Sequence, residues 1–259
     1  MDATLVATWL LSCLIGVTLG IFGGGGSVLA VPVLVLVAHL APQAAVGASL
    51  AIVGSTSLLA SFAHYRRGHV RFDVAIPFAL SGVLMAFVGA RLSALVSGPV
   101  LLRLFAALMC LAGGAMFLGQ TRVDDDAARR PAERIRPIAS IVAGAGAGLA
   151  TGFLGVGGGF LVVPALVAFA GLPMRAAVGT SLLVIALNSA AGLVGHVGSG
   201  QLNFGLVVPL TAAAVLGALV GERFARHVSP GKLKRGFALM VIVVGVTLAF
   251  AGGLGATHA

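Results

Sequence analysis

Two runs of near-consecutive glycine, Gly23-Gly24-Gly25-Gly26-Ser27 and Gly155-Val156-Gly157-Gly158-Gly159, put bare backbone inside apolar sequence. Glycine costs about 1 kcal/mol per residue relative to alanine in a helix, so each run favours a break. The helix that resumes after a break offers unpaired N–H groups and a positive dipole end, which suit an anion. Each run is followed by a proline, Pro32 or Pro164. The competing reading is close helix packing, because Gly16, Gly20 and Gly24, like Gly144, Gly148 and Gly152, recur every four residues. Packing accounts for spaced glycines better than for consecutive ones. Gly23, Gly24, Gly25, Gly26, Ser27, Gly155, Gly157, Gly158 and Gly159 are therefore candidate substrate contacts.

A hydroxyl motif forms the second candidate: Val46-Gly47-Ala48-Ser49-Leu50 and Val178-Gly179-Thr180-Ser181-Leu182, followed by Thr56 and Asn188 respectively. Ser181 and Asn188 share one helix face, as do Ser49 and Thr56, so with Thr180 they can present neutral donors to a cavity. Bonding back to the helix or to a neighbouring helix is the alternative use of such groups. His64 and His196 each end an apolar stretch; they can anchor at the interface, gate a passage or accept a proton. Arg91 and Arg223 also sit at stretch ends, where they can steer an anion or snorkel to lipid headgroups.

Other chemistries lack their residues. Neither glycine run has dinucleotide-binding or Walker spacing. Cys13 and Cys110 form no CxxC and have no histidine nearby, so no metal site or thiol relay is expected. No catalytic triad or paired carboxylate is visible, and no cofactor is implied. Asp73 and Glu222 are the only acids near apolar stretches, and no equivalent acid accompanies either, so proton coupling through a buried carboxylate finds no support.

The elements that must hold these groups are membrane helices. Apolar residues make up 59% of the 259 and charged residues 9%, against about 25% charge in a soluble domain; the mean hydropathy is +1.12. Apolar stretches run Leu5–Phe22, Val28–Leu40, Ala44–Ala63, Val74–Ala90 and Leu101–Leu118, then Ile138–Leu154, Phe160–Leu172, Ala176–Val197, Phe204–Val220 and Gly236–Leu254. Most suit a bilayer crossing; the two that follow the glycine runs are short, hence broken or re-entrant. No cationic stretch precedes Leu5, so the first segment reads as a retained helix and not a cleaved signal.

The ten stretches are five, twice over. Gly23, Pro32, Ser49, His64, Pro77, Arg91 and Phe105 recur as Gly155, Pro164, Ser181, His196, Pro209, Arg223 and Phe237, all 132 positions later. Residues 1–119 and 138–259 are two copies joined by a polar linker, 120–137. Charge sets their orientation. Fourteen of the 16 Lys and Arg residues fall in the loop with Arg66, Arg67 and Arg71, the linker, the loop with Arg175, and the segment from Arg223 to Arg235. Those segments belong in the cytoplasm, which also argues against nucleic acid as the partner of the net +9 charge. The repeat-equivalent of the basic His64–Arg71 loop carries no Lys or Arg, so twin loops lie on opposite sides. The expected fold is an all-α integral membrane protein of two inverted-topology repeats, about four to five segments each, with glycine-rich broken or re-entrant helices and both termini outside. Such repeats build secondary transporters with a central site between the halves.

The repeated glycine run with its proline, the VGxSL motif, the H-Y-R-R-G-H-V-R-F segment His64–Phe72 and the V-G-A-R or V-G-E-R stretch ends together resemble the TauE/SafE sulfite exporter family, also called the 4-toluene sulfonate uptake permease family. The resemblance covers nearly the whole chain. It implies a multi-pass transporter of the bacterial inner membrane whose cargo is sulfite, a sulfonate such as sulfoacetate, or a related organic anion. The lipid bilayer, a coupling proton or sodium ion, and a second copy of the chain are its candidate partners. Ser27 against Gly159 and Val156 against Gly24 break the symmetry between the halves.

Overall fold

The computed structural model describes residues 3–40, 42–93, 98–118, 137–154, 159–196 and 204–254, and all regular structure there is helical. The first half contributes α1 (Ala3–Phe22), α2 (Gly26–Leu36), α3 (Pro42–Tyr65), α4 (Phe72–Ser93) and α5 (Gly98–Leu118). The second contributes α6 (Pro137–Leu154), α7 (Gly159–Ala168), α8 (Met174–His196), α9 (Phe204–Ala225) and α10 (Pro230–Leu254). Helix is the expected answer for such sequence, since a lipid-facing chain must satisfy its own backbone. Among the described residues α3, α4, α8 and α9 hold stretches long and apolar enough to cross a membrane.

The outer surface is apolar. On α4, Ile76, Leu80, Leu84 and Phe87 are exposed, while Val74, Ala75, Phe78 and Ala79 on the other face are buried. That arrangement suits lipid outside and protein inside. Glycine spaced by four has a use within the bundle. α1 packs on α9 and α6 on α4; Gly16 and Gly20 lie against the backbone of Ala214 and Ala218, and Gly148 and Gly152 against that of Gly82 and Ala86. Both pairs run parallel. Moving either contact by 132 residues reproduces the other.

The remaining major pairs join a helix to its own equivalent. α3 crosses α8, with Gly179 beside His64, Gly54 beside Ser189 and Gly192 beside Leu50, so the two run in opposite directions. α5 and α10 are also antiparallel, since Gly113 meets Ile242 and Gly245 meets Ala106 and Met109.

Helices α2 and α7 are the short elements. They have 11 and 10 residues, about 15 Å of rise against about 30 Å of hydrocarbon. Most of α7 is buried. Both end earlier than their apolar stretches, which continue to Leu40 and Leu172, because the same stop occurs in each. His39 (φ 51°) and Gly171 (φ 66°) turn left-handed, and the Leu40 and Leu172 N–H groups donate to the Leu34 and Leu166 carbonyls at 3.1 Å. A left-handed residue past the last turn is a common way to satisfy terminal carbonyls.

Candidate functional site at the broken helices

The first glycine run breaks the chain where consecutive glycines predict. α1 ends at Phe22, the Gly23 N–H donates to the Leu19 carbonyl at 2.7 Å, and Gly23 takes φ 79°, a conformation costly for any residue with a Cβ. α2 restarts at Gly26 after Gly25, with no side-chain cap. The break is enclosed by protein. A Cβ on Gly23 would come within 2.6 Å of Ser181 Oγ and 3.0 Å of Val178 Cα; Gly24 lies against the Gly159 carbonyl, and Gly25 under Met240. Gly26 rests on Ile15 and Leu19 of its own preceding helix. Gly159, the first residue of α7, also faces Ser27 and Ile185. Gly155, Gly157 and Gly158 lie outside the described residues. The two glycine readings thus divide by position: Gly16 and Gly20 bring α1 onto α9, whereas Gly24 belongs to the junction with α7.

Helix α8 lines this junction as a spine. Ser181 faces Gly23, and Ile185, one turn on, faces Gly159. Ser181 is fully buried; its hydroxyl donates to the Val178 carbonyl at 2.8 Å, just as Ser49 donates to Val46 and Ser27 to Gly24, each at 2.8 Å. Each hydroxyl keeps accepting capacity while its proton is held by the backbone. Thr180 is used differently: its Oγ1 accepts the Arg71 N–H at 3.1 Å, which fastens the α3–α4 loop to the start of α8. One turn beyond Ile185 stands Asn188. Its Oδ1, with Thr56 Oγ1 and Ser57 Oγ, is buried without a hydrogen-bond partner. Thr56 and Asn188 are repeat-equivalents on helices that cross antiparallel, so this polar patch falls near the centre of the α3–α8 crossing. Orphaned polar groups in a dry interior cost about 1–3 kcal/mol each, a cost that a polar ligand can offset.

Beside the junction lies a small, partly open vestibule of about 50 Å³. Its walls carry His64, Arg67 and His69 from the end of α3 and the loop after it, Arg175 from the start of α8, Glu222 from the last turn of α9 and Arg226 just beyond it; Gly20 and Val178 also line it. Val178 also touches Gly23, so the basic vestibule and the break share a wall. Glu222 is 3% exposed and ion-paired with Arg67, with Arg226 Nη2 at 3.9 Å and His64 Nε2 at 4.0 Å. Arg175 Nη2 donates to the Arg226 carbonyl at 3.4 Å. Burial, then Arg175 and Arg67, hold the His69 imidazole below its ordinary value near 6.5. Burial and the facing Arg226 make the Arg67 guanidinium less basic than usual.

The histidines and arginines singled out from sequence have different fates. His64 is buried in the vestibule wall beside Glu222, so it is not an exposed interface anchor. His196 is the last residue of α8; its side chain lies outside the described part. Arg91 projects from the far end of α4 with its guanidinium 5.0 Å from the Phe87 ring centroid, and Arg223 is exposed in the last turn of α9. Neither lines the vestibule. The residues that sequence reasoning passed over are Glu222, its neighbours Arg67 and Arg226, and Arg175 in the same pocket. An acid in an apolar stretch was the available signal, since such a group is a functional candidate by default.

A bundle of apolar helices with a break between α1 and α2 and a charged pocket beside it accords with a membrane transporter. The chain belongs to the Sulfite exporter TauE/SafE family, whose sequence profile matches residues 8–248. It is 34% identical over 236 residues to a probable membrane transporter protein of Xylella fastidiosa (strain Temecula1 / ATCC 700964), covering 90% of each chain. It is 26% identical over 237 residues to the probable membrane transporter protein YdhB of Bacillus subtilis (strain 168), covering 92% of this chain and 97% of that one. A probable membrane transporter protein of Methanocaldococcus jannaschii, MJ0441, is 23% identical over 248 residues, with 90% and 91% covered. No solved structure matches the chain. The protein is therefore a membrane transporter, with a small-molecule substrate and a lipid surround.

Proposed function

We propose that the protein is a secondary transporter of a small anion, with sulfite, a sulfonate such as sulfoacetate, or a related organic anion as cargo. It works by alternating access between two inverted halves, residues 1–119 and 138–259, joined by a cytoplasmic linker at 120–137. Its membrane is the bacterial inner membrane, with both termini periplasmic. The observation that carries this reading is the shared wall: a vestibule lined by three arginines meets, at Val178, the broken-helix junction of Gly23, Ser181 and Gly159. An anion drawn into the vestibule reaches the restart of a broken helix without crossing hydrocarbon. The α3–α4, α7–α8 and α9–α10 connections meet at this vestibule, in keeping with one cytoplasmic, positive side. The opposed directions of α3 and α8, and the duplicate α1–α9 and α6–α4 contacts, support inversion. At the next level Ser181, Asn188 and Thr56 are the polar contacts on the path. An inside-negative potential favours anion export by about 2.3 kcal/mol per charge per 100 mV, so export requires no coupling ion.

The test is flux through purified protein in liposomes, with sulfite, sulfate, thiosulfate, sulfoacetate and taurine offered with and without a proton or sodium gradient. Saturable flux of one sulfur anion, weakened by Ser181→Ala or Asn188→Ala, is the expected result. Flux proportional to concentration throughout would describe a channel. Absence of sulfur-anion flux from folded protein would remove these anions as cargo.

A further inference from the structure

We propose that the Glu222 carboxylate is a tethered anion that occupies the vestibule's oxyanion position, and that a cargo anion enters by displacing it from Arg67 and Arg226. The proposal rests on the anion-transport reading and adds an entry gate to it.

Asp73 and Glu222 are the only acids among the described residues. Asp73 is exposed and paired with Arg71, two residues away. Glu222 is 3% exposed, yet it stands in the wall of an open vestibule among cations from three separate elements. Its ion-pair partner Arg67 comes from the α3–α4 loop, Arg226 lies one turn further along its own chain, and Arg175, from the start of α8, donates to the Arg226 carbonyl. The carboxylate has Arg67, Arg226 and the His64 imidazole within about 4 Å, while Arg175 and His69 line the same pocket. The surplus positive charge means that Glu222 fills the site without neutralising it. A carboxylate offers two oxygens to a guanidinium fork, and a sulfonate, sulfite or carboxylate cargo offers the same edge, so cargo and tether compete for the same donors.

A purely structural ion pair would leave two features without a purpose. The cations outnumber the acid, and the pair borders the cavity that shares Val178 with the helix break. The position equivalent to Glu222 is Ala90, so the second copy of this position carries no carboxylate.

The experiment is anion binding by the full chain in detergent, measured calorimetrically with methanesulfonate and with sulfite, for wild type and Glu222→Gln. Removing the competitor should lower the Kd for both probes by about tenfold or more, while Arg67→Gln should raise it by a similar factor. An unchanged or weaker Kd in folded Glu222→Gln, or no binding in either protein, would overturn the proposal. Should Glu222→Gln fail to fold, the wild-type chain provides the answer. Carbodiimide coupling of an amine to Glu222, read by mass spectrometry, should rise several-fold under saturating methanesulfonate as the carboxylate is released; unchanged or reduced coupling would overturn the displacement. Flux in liposomes, measured on the same preparations, separates the two readings. Tighter binding by Glu222→Gln with no flux in either protein would refute transport and keep the tether, and flux with unaltered binding would do the reverse.

Discussion

Replacing Gly23 by alanine isolates what the helix break demands. At φ 79° an alanine pays about 1–2 kcal/mol for its left-handed backbone. Its Cβ would also stand 2.6 Å from Ser181 Oγ and 3.0 Å from Val178 Cα, inside ordinary contact distance; overpacking of this kind adds about 1–3 kcal/mol. The sum is a loss of about 2–5 kcal/mol. Gly68 provides the internal control: its φ is 72°, and a Cβ there would meet nothing within 4 Å. Gly68→Ala should therefore lose only the backbone part, about 1–2 kcal/mol. Equilibrium unfolding in mixed micelles, followed by circular dichroism, measures both. The double variant Gly23→Ala with Ser181→Ala should recover part of the loss, as expected of residues in direct contact. If Gly23→Ala unfolds no more readily than Gly68→Ala, the tight seat of the break against α8 is refuted.

Further expectations follow from other contacts. Gly148→Leu should separate α6 from α4, and Gly16→Leu should separate α1 from α9, each by about 1–3 kcal/mol or more, because each glycine faces backbone; the folded fraction on size exclusion reports this, and normal yields would speak against the close crossings. On the transport path proposed above, Ser181→Ala and Asn188→Ala should raise the KM for flux of the proposed anion by several-fold with little change in folded yield. The pH dependence of stability should involve His69. Its folded pKa lies below its unfolded value, so the unfolded chain binds more protons and stability is lost as pH falls below about 6.5. His69→Gln should accordingly show a smaller fall in melting temperature from about pH 7 to about pH 5 than wild type does; an identical fall would remove His69 as a contributor.

The positions of the helices were legible because composition controls them. Apolar stretches ended within a few residues of the helices, and consecutive glycines placed the break between Phe22 and Gly26. The early stops of α2 and α7 were missed because the apolar pattern resumes at Leu40 and Leu172 and the single interruptions, His39 and Gly171, were read through; Gly171 was the available stop signal. Nor could sequence decide between two uses of Ser49 and Ser181. Bonding to the carbonyl three residues back and facing a cavity require the same residue at the same spacing. Glu222 was missed for a different reason. Its meaning lies in Arg67, brought from the other half of the chain by tertiary packing, and reasoning from the repeat discounted a residue with no twin.

The crossing of α1 onto α9 also bears on how the chain is made. Gly16 and its neighbour Ala214 are 198 positions apart, whereas the equivalent contact between Gly82 and Gly148 spans 66. At about 5–20 residues per second of synthesis, α4 meets α6 after roughly 3–13 s, but α1 waits roughly 10–40 s for α9 to emerge. During that interval the glycine face of α1 has only lipid or an insertion factor beside it. The two copies of one contact therefore form at different times, and the later one joins α1 to its partner only after α2 to α8 have all been made.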